Sequence, residues 1–190
     1  MQNAAPKYIF WLGGSVFLLL LCLLLSLSVG EMPIWPWQWW GTDLGSMERT
    51  ILSQLRLPRS LTALCIGGML SMSGSILQGL FKNPLVEPYT LGISGGASLG
   101  VALAFLIGIA QQWGSLGVGG FAFAGAIAIS LILLAYHRHR PGTNNLLLAG
   151  IMLSILCSAA TTLLLSLSTP ENMTQIIYWT MGSLSHSTPA

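Results

Sequence analysis

Long apolar runs alternate with short polar breaks along this chain, and the breaks carry almost every charge. Lys7 and Glu31 enclose 23 uncharged residues, Arg59 and Lys82 enclose 22, Glu87 and Arg138 enclose 50, and Arg140 and Glu171 enclose 30. A helix needs about 20 predominantly apolar residues to cross a bilayer core. The pattern therefore predicts five spans, over 8–29, 60–81, 91–110, 116–136 and 145–168. Two share the longest run and part at Gln111-Gln112-Trp113-Gly114, which is polar and turn-prone. Pro84 and Pro88 break the chain after the second span, Pro141-Gly142 after the fourth, and Pro170 ends the fifth. The predicted fold class is all-α, a polytopic membrane helix bundle.

The longest stretch outside the spans is 31–59. Met32 to Trp40 reads as a segment lying in the membrane interface, rich in tryptophan. Glu48 to Leu57 reads as a short surface helix stopped at Pro58. The first span holds the leucine-rich run Leu18–Leu25 and is expected to face lipid. Its apolar stretch is longer than the ~7–15 residues of a signal peptide, although Ser26-Leu27-Ser28 has the small residues of a cleavage site.

Composition agrees with a membrane protein and excludes other classes. Only 6% of the 190 residues are charged, against about 25% in soluble domains. Mean hydropathy is +0.73, which excludes a disordered chain. The net charge of +2 and the absence of a basic stripe argue against nucleic acid as a partner. Cys22, Cys65 and Cys157 sit in apolar runs without metal-ligand spacing and are expected as small buried hydrophobes. With the N-terminus inside, Lys7, Lys82, Arg138 and Arg140 fall on the inner side, and Arg49, Arg56 and Arg59 on the outer side. That positive-inside balance of four to three is slight. Trp35, Trp37, Trp39, Trp40, Trp113 and Trp179 fall together on the outer side, as an interfacial belt does.

Four spans carry small residues every fourth position, which places them on one helix face. These ridges are Gly67-Ser71-Ser75-Gly79, Gly92-Gly96-Gly100-Ala104-Gly108, Gly120-Ala124-Ala128 and Gly150-Ser154-Ser158-Thr162-Ser166. Such ridges let helices approach closely in lipid. The fifth span's ridge is rich in hydroxyls and is the candidate to line a solute path: Ser154, Ser158, Thr162 and Ser166. For any single ridge position, helix packing is the commoner explanation.

No Asp, Glu, Lys, Arg or His lies at mid-span, which argues against proton coupling within the chain. His137, His139 and His186 all lie near span ends, too far from mid-depth for a Ser–His pair there. His137-Arg138-His139-Arg140 reads as a cationic anchor, not a metal site. Gly92-Ile-Ser-Gly-Gly-Ala-Ser lacks the lysine and preceding strand of a phosphate loop. No ATP-hydrolysing apparatus is read from the chain.

Several ordered segments carry a resemblance. They are Arg56-Leu-Pro-Arg-Ser-Leu, Ser73-Gly-Ser-Ile-Leu-Gln-Gly-Leu-Phe-Lys-Asn-Pro-Leu-Val-Glu-Pro, Leu91-Gly-Ile-Ser-Gly-Gly-Ala-Ser-Leu-Gly, Leu147-Leu-Ala-Gly-Ile and Tyr178-Trp-Thr-Met-Gly-Ser-Leu. Together they resemble the FecCD-type permeases of bacterial binding-protein-dependent ABC importers. Those carry iron(III)-siderophores, haem or cobalamin across the inner membrane.

The resemblance implies that 1–190 is the N-terminal half of a ten-helix permease. It implies a second permease subunit, cytoplasmic ATPase subunits that use ATP and Mg, and a periplasmic binding protein. No cofactor is expected on this chain. Arg56 and Arg59 match arginines that meet acidic residues of the binding protein. Asn83 and Pro84, with Thr143 and Asn144, match loops near the cytoplasmic mouth, although turn chemistry also explains them. The family's principal ATPase coupling loop belongs to the other half, so the five-span piece alone is expected to be transport-incompetent. Met181-Gly-Ser-Leu leans toward the siderophore members. Two other classes remain at this point: a five-span channel or secondary transporter independent of an ATPase, and an intramembrane enzyme.

Overall fold

The computed structural model describes residues 5–30, 32–39 and 45–184. Of the residues singled out above, Glu31, Trp40 and His186, and the side chain of Lys7, lie outside the described residues.

Every described element is helical. In order they are α1 (Ala5–Ser28), a 3-10 turn (Pro36–Gln38), α2 (Ser46–Thr50), a π turn (Ile51–Arg56), α3 (Leu57–Phe81), α4 (Ile93–Leu106), α5 (Ile109–His139), α6 (Thr143–Ser166) and α7 (Pro170–Met181). Four stretches are long and apolar enough to cross a membrane: Tyr8–Ser28, Ser46–Phe81, Ile109–His139 and Thr143–Ser166. They match the first, second, fourth and fifth predicted spans, so the all-α polytopic bundle is the fold observed.

The third span differs from its expected 91–110. Helix α4 has 14 residues, so at 1.5 Å per residue it rises about 21 Å, short of the ~30 Å hydrocarbon core. Glycine cuts it at both ends: Gly92 has φ 75° and Gly108 φ 80°, a left-handed backbone that glycine adopts at little cost. The break between the third and fourth spans therefore begins at Gly108, ahead of the expected Gln111–Gly114, and a second non-helical break falls at Gly114, inside the expected segment. Gln111 to Trp113 are helical, and Gly114 (φ 55°, ψ −139°) puts a kink inside α5. Polar side chains near a helix end mark the water boundary, whereas backbone dihedrals make the turn.

Pro58 does not stop the helix before it. The run Ser46–Phe81 is one helix of 36 residues. Proline lacks an N–H and crowds the carbonyl one turn back. The wide turn just before it, where the Leu57 N–H reaches the Leu52 carbonyl, relieves that crowding; π turns accommodate irregular positions of this kind.

The chain forms two compact units, residues 1–68 with 184–190, and residues 69–183. In the first, α1 is exposed along almost its whole length. Its C-terminal end meets the π turn and the start of α3, where Ser26 and Ser60 share a hydroxyl hydrogen bond of 2.8 Å. Ile34 is buried below the 3-10 turn, and Trp35 and Trp37 stack at 5.0 Å.

In the second unit α4 is the centre, packed against α5, α6 and α7. One core cluster joins Phe81, Val86 and Leu91 to Ile129, Leu133 and Cys157. It ties the loop after α3 to the end of α5 and the first turns of α6. The other joins Val101, Ala102 and Phe105 to Val118, Ala122 and Ile176. Cys157 is buried as expected, whereas Cys22 and Cys65 are exposed.

The small-residue ridges divide. On α4, a Cβ on Gly96 would lie 2.7 Å from the Gly125 carbonyl oxygen, and one on Gly100 would run into the Phe121 backbone. On α6, a Cβ on Gly150 would lie 2.9 Å from Leu91 Cα. These positions pack backbone against backbone. Gly67, Gly79 and Gly120 meet nothing within 4 Å, and Ala124 and Ala128 are exposed. The packing face of α5 is instead Val118, Ala122, Gly125 and Ile129, one position round from the predicted ridge.

Candidate functional site

Three groups of side chains carry the candidate chemistry. The first is the arginine pair at the start of α3. Arg56 turns inward and donates from Nη1 to the carbonyls of Leu27 (2.8 Å) and Ser28 (3.3 Å), and from Nη2 to that of Met32. Those groups are carbonyls at the C-terminal end of α1 and in the turn beyond it, where helical partners run out; the Ser28 carbonyl also accepts from the Ile34 N–H at 3.0 Å. Arg59 is exposed. The two arginines thus lie close together in sequence but have different surroundings: one guanidinium is engaged by backbone, the other faces outward.

The second group is the pair of loops at one end of the 69–183 unit. Asn83 makes an Asx turn, its Oδ1 accepting from the Leu85 N–H at 3.0 Å. Lys82 before it has φ 49°, the single non-glycine residue with positive φ among those described. Pro84 lines a cavity of about 630 Å³ together with Ser71, Ser75, Gln78, Glu87 and Tyr89. That cavity was not foreseen; the ridge Ser71–Ser75 was its one signal in the sequence. Thr143 and Asn144 are exposed in the first turn of α6, after Gly142 (φ 139°). The core cluster around Phe81 and Leu133 brings the two loops to the same end of the unit, the end that carries Lys82, Arg138 and Arg140.

The third group is the hydroxyl ridge of α6. Ser154 faces α4: a Cβ on Gly92 would lie 2.9 Å from its backbone N. Ser158, Thr162 and Ser166 are exposed. Thr162 donates to the Ser158 carbonyl at 2.9 Å and Ser166 to the Leu163 carbonyl at 2.8 Å, so two hydroxyls are satisfied by their own helix. The packed face of α6 turns toward Cys157 and Thr161, both buried. The predicted ridge is therefore one contact residue followed by three on an open face.

A fourth arrangement carried no sequence signal. Asn172 in α7 donates from Nδ2 to the Phe105 carbonyl at the end of α4 (3.5 Å), and its Oδ1 accepts from Gln111 Nε2 (3.1 Å). Ile176 of the same helix is fully buried. The amide thus holds α7 across the Gly108 turn. No group of three or more metal-ligating side chains occurs among the described residues.

Long apolar helices packed on glycine define a polytopic membrane helix bundle. The chain belongs to the FecCD transport family, whose model matches residues 18–189. It is 45% identical over 173 residues to the vitamin B12 import system permease protein BtuC of Salmonella arizonae, covering 90% of this chain and 51% of that protein. It is 43% identical over 174 residues to the same-named protein of Klebsiella pneumoniae, covering 90% and 50%. A solved inward-facing structure of an ABC transporter assigned to the metal-chelate type superposes with a TM-score of 0.78 at 32% identity, over 96% of this chain and 55% of that one. The chain spans about half the length of the curated relatives it matches.

Proposed function

We propose that this chain is the N-terminal half of the permease of a binding-protein-dependent ABC importer for a metal chelate, with cobalamin the first candidate. The observation that carries this reading is the family match over 18–189, joined by 43–45% identity to permeases named for vitamin B12 import. The absence of charge at mid-span supports a conduit powered by a separate ATPase that uses ATP and Mg. A second permease subunit and a periplasmic binding protein complete the proposed assembly, in the bacterial inner membrane.

The end bearing Lys82, Arg138 and Arg140 is assigned to the cytoplasm by the positive-inside rule, which also puts the N-terminus inside. Asn83, Pro84, Thr143 and Asn144 then belong to the cytoplasmic gate loops. Ser158, Thr162 and Ser166 are the path-lining candidates, with Ser154 supporting them from the packed side. Arg59 and Arg56 form the docking surface for acidic residues of the binding protein, where charge pairing steers encounter and sets register.

The test is complementation. The full-length reading frame is expressed in a bacterium that lacks its own vitamin B12 import permease. Growth dependent on low vitamin B12 supports cobalamin. Growth restored only on a ferric siderophore, in a strain lacking a siderophore permease, moves the substrate to that class, toward which Met181-Gly-Ser-Leu leans. Uptake that persists when the partner ATPase is inactivated overturns the ABC reading.

A further inference from the structure

We infer that Arg56 is a two-position side chain: it caps α1 while the outer face is free, and moves to a partner carboxylate when an acidic protein surface docks there. This rests on the docking reading above and adds its regulation. Helix α1 has no basic residue in its last turn, so its C-terminal carbonyls lack a local cation. Arg56 supplies one from the next helix, reaching the carbonyls of Leu27, Ser28 and Met32.

The seat is shaped for it. A Cβ on Gly30 would lie 2.6 Å from Arg56 Nη2, so any larger residue there displaces the guanidinium. Ser28 Oγ is buried beside the seat without a hydrogen-bond partner among the described residues.

The seat is also one that Arg56 can leave. The residue is only partly buried, and its acceptors are neutral carbonyls. A carboxylate is the stronger acceptor, because charge-assisted hydrogen bonds are roughly twice as strong as neutral ones. Exposed Arg59, three residues on, shares the helix face and makes the first contact. The backbone allows the swing: Arg56 closes the π turn, whose Leu57 N–H bonds to Leu52. Losing the extra residue of a π turn rotates the side chains before it by roughly 100°. Docking would then uncap α1 and loosen the turn held by the Ile34 N–H on the Ser28 carbonyl at 3.0 Å.

Amide hydrogen exchange on the full-length permease in nanodiscs tests this, with hexaglutamate as the acidic probe and hexalysine as control. At low salt, hexaglutamate is expected to raise exchange at Val29 and Ile34 roughly tenfold, and hexalysine to leave it unchanged. Arg56→Gln should start at the raised rate and not respond; Arg56→Lys, which keeps the charge but loses the fork, should fall between. Arg59→Glu should keep the slow rate and fail to bind the probe. Arg59-dependent binding with unchanged exchange overturns the two-position inference and leaves the docking reading standing. Equal binding by wild type, Arg56→Gln and Arg59→Glu removes both.

Discussion

Gly96 on α4 and Gly125 on α5 meet backbone to backbone: a Cβ on Gly96 would lie 2.7 Å from the Gly125 carbonyl oxygen. In lipid no water-driven force pulls helices together, so this close approach is where van der Waals packing accumulates. Replacing either glycine by leucine must push α4 away from α5 along the contact. The expected cost is about 3 kcal/mol or more, beyond the ~1–3 kcal/mol typical of overpacking, because backbone has to move. Gly120→Leu on the open face of α5 should cost less than about 0.5 kcal/mol. Thermal unfolding of the full-length permease in detergent separates the two: only the Gly96 and Gly125 variants should melt early.

Gly108 closes α4 in the left-handed region, with φ 80°. An alanine there is expected to cost about 1–2 kcal/mol. Alanine at Gln111 or Gln112 leaves the turn in place; for Gln112, no loss above about 0.5 kcal/mol is expected. Chemical-denaturant or thermal midpoints of the three variants check the order, and a Gln112→Ala loss equal to that of Gly108→Ala would return the turn to the glutamines.

Those two sites also mark what the sequence made legible. Hydrophobic run length located the four long spans, because the thickness of the bilayer sets it. It could not cut the third span to 14 residues, since left-handed φ at Gly92 and Gly108 leaves no trace in hydropathy. Spacing by four identified Gly96 and Gly100 correctly but chose Gly120 over Gly125 on α5. Several small residues on one helix offer more than one ridge, and only the neighbouring helix selects among them. Arg56 is the sharpest instance in the candidate site. The family resemblance implied an outward role for it, while its engagement by carbonyls 24 to 29 residues earlier depends on the path of the chain between.

Asn172 spans the Gly108 turn from α7, with one hydrogen bond to each side of it. Asn172→Ala removes both and leaves the Phe105 carbonyl without that donor, at an expected cost of about 1–2 kcal/mol. Ile176 keeps α7 seated, so the helix should loosen without detaching. The readout is thiol labelling of a cysteine placed at exposed Tyr178, whose rate should rise several-fold in the Asn172→Ala background. An unchanged rate would mean that apolar burial alone holds α7.

Exposed Arg59 is expected to act through charge at long range. Arg59→Glu should weaken binding-protein docking by tenfold or more at low ionic strength, chiefly in the association rate. The deficit should shrink as salt is raised, since the screening length falls to about 3 Å at 1 M. A deficit independent of salt would instead indicate a local packing role for Arg59.

Ser158, Thr162 and Ser166 share an open face, whereas Cys157 and Thr161 of the same helix are buried. Bulk on the two faces should therefore fail in different ways. Ser158→Leu with Thr162→Leu removes hydroxyls and adds volume on a face left exposed among the described residues. Folding should survive, and uptake by the full-length permease should fall tenfold or more if the face lines the path. Cys157→Leu inserts bulk beside Gly95, where a Cβ would already lie 3.2 Å from the cysteine Cβ. It should cost about 1–3 kcal/mol and lower the amount of folded protein instead of its rate. Uptake normalised to folded permease distinguishes the outcomes. Full uptake in the double leucine variant would take Ser158 and Thr162 out of the path and assign that face to lipid.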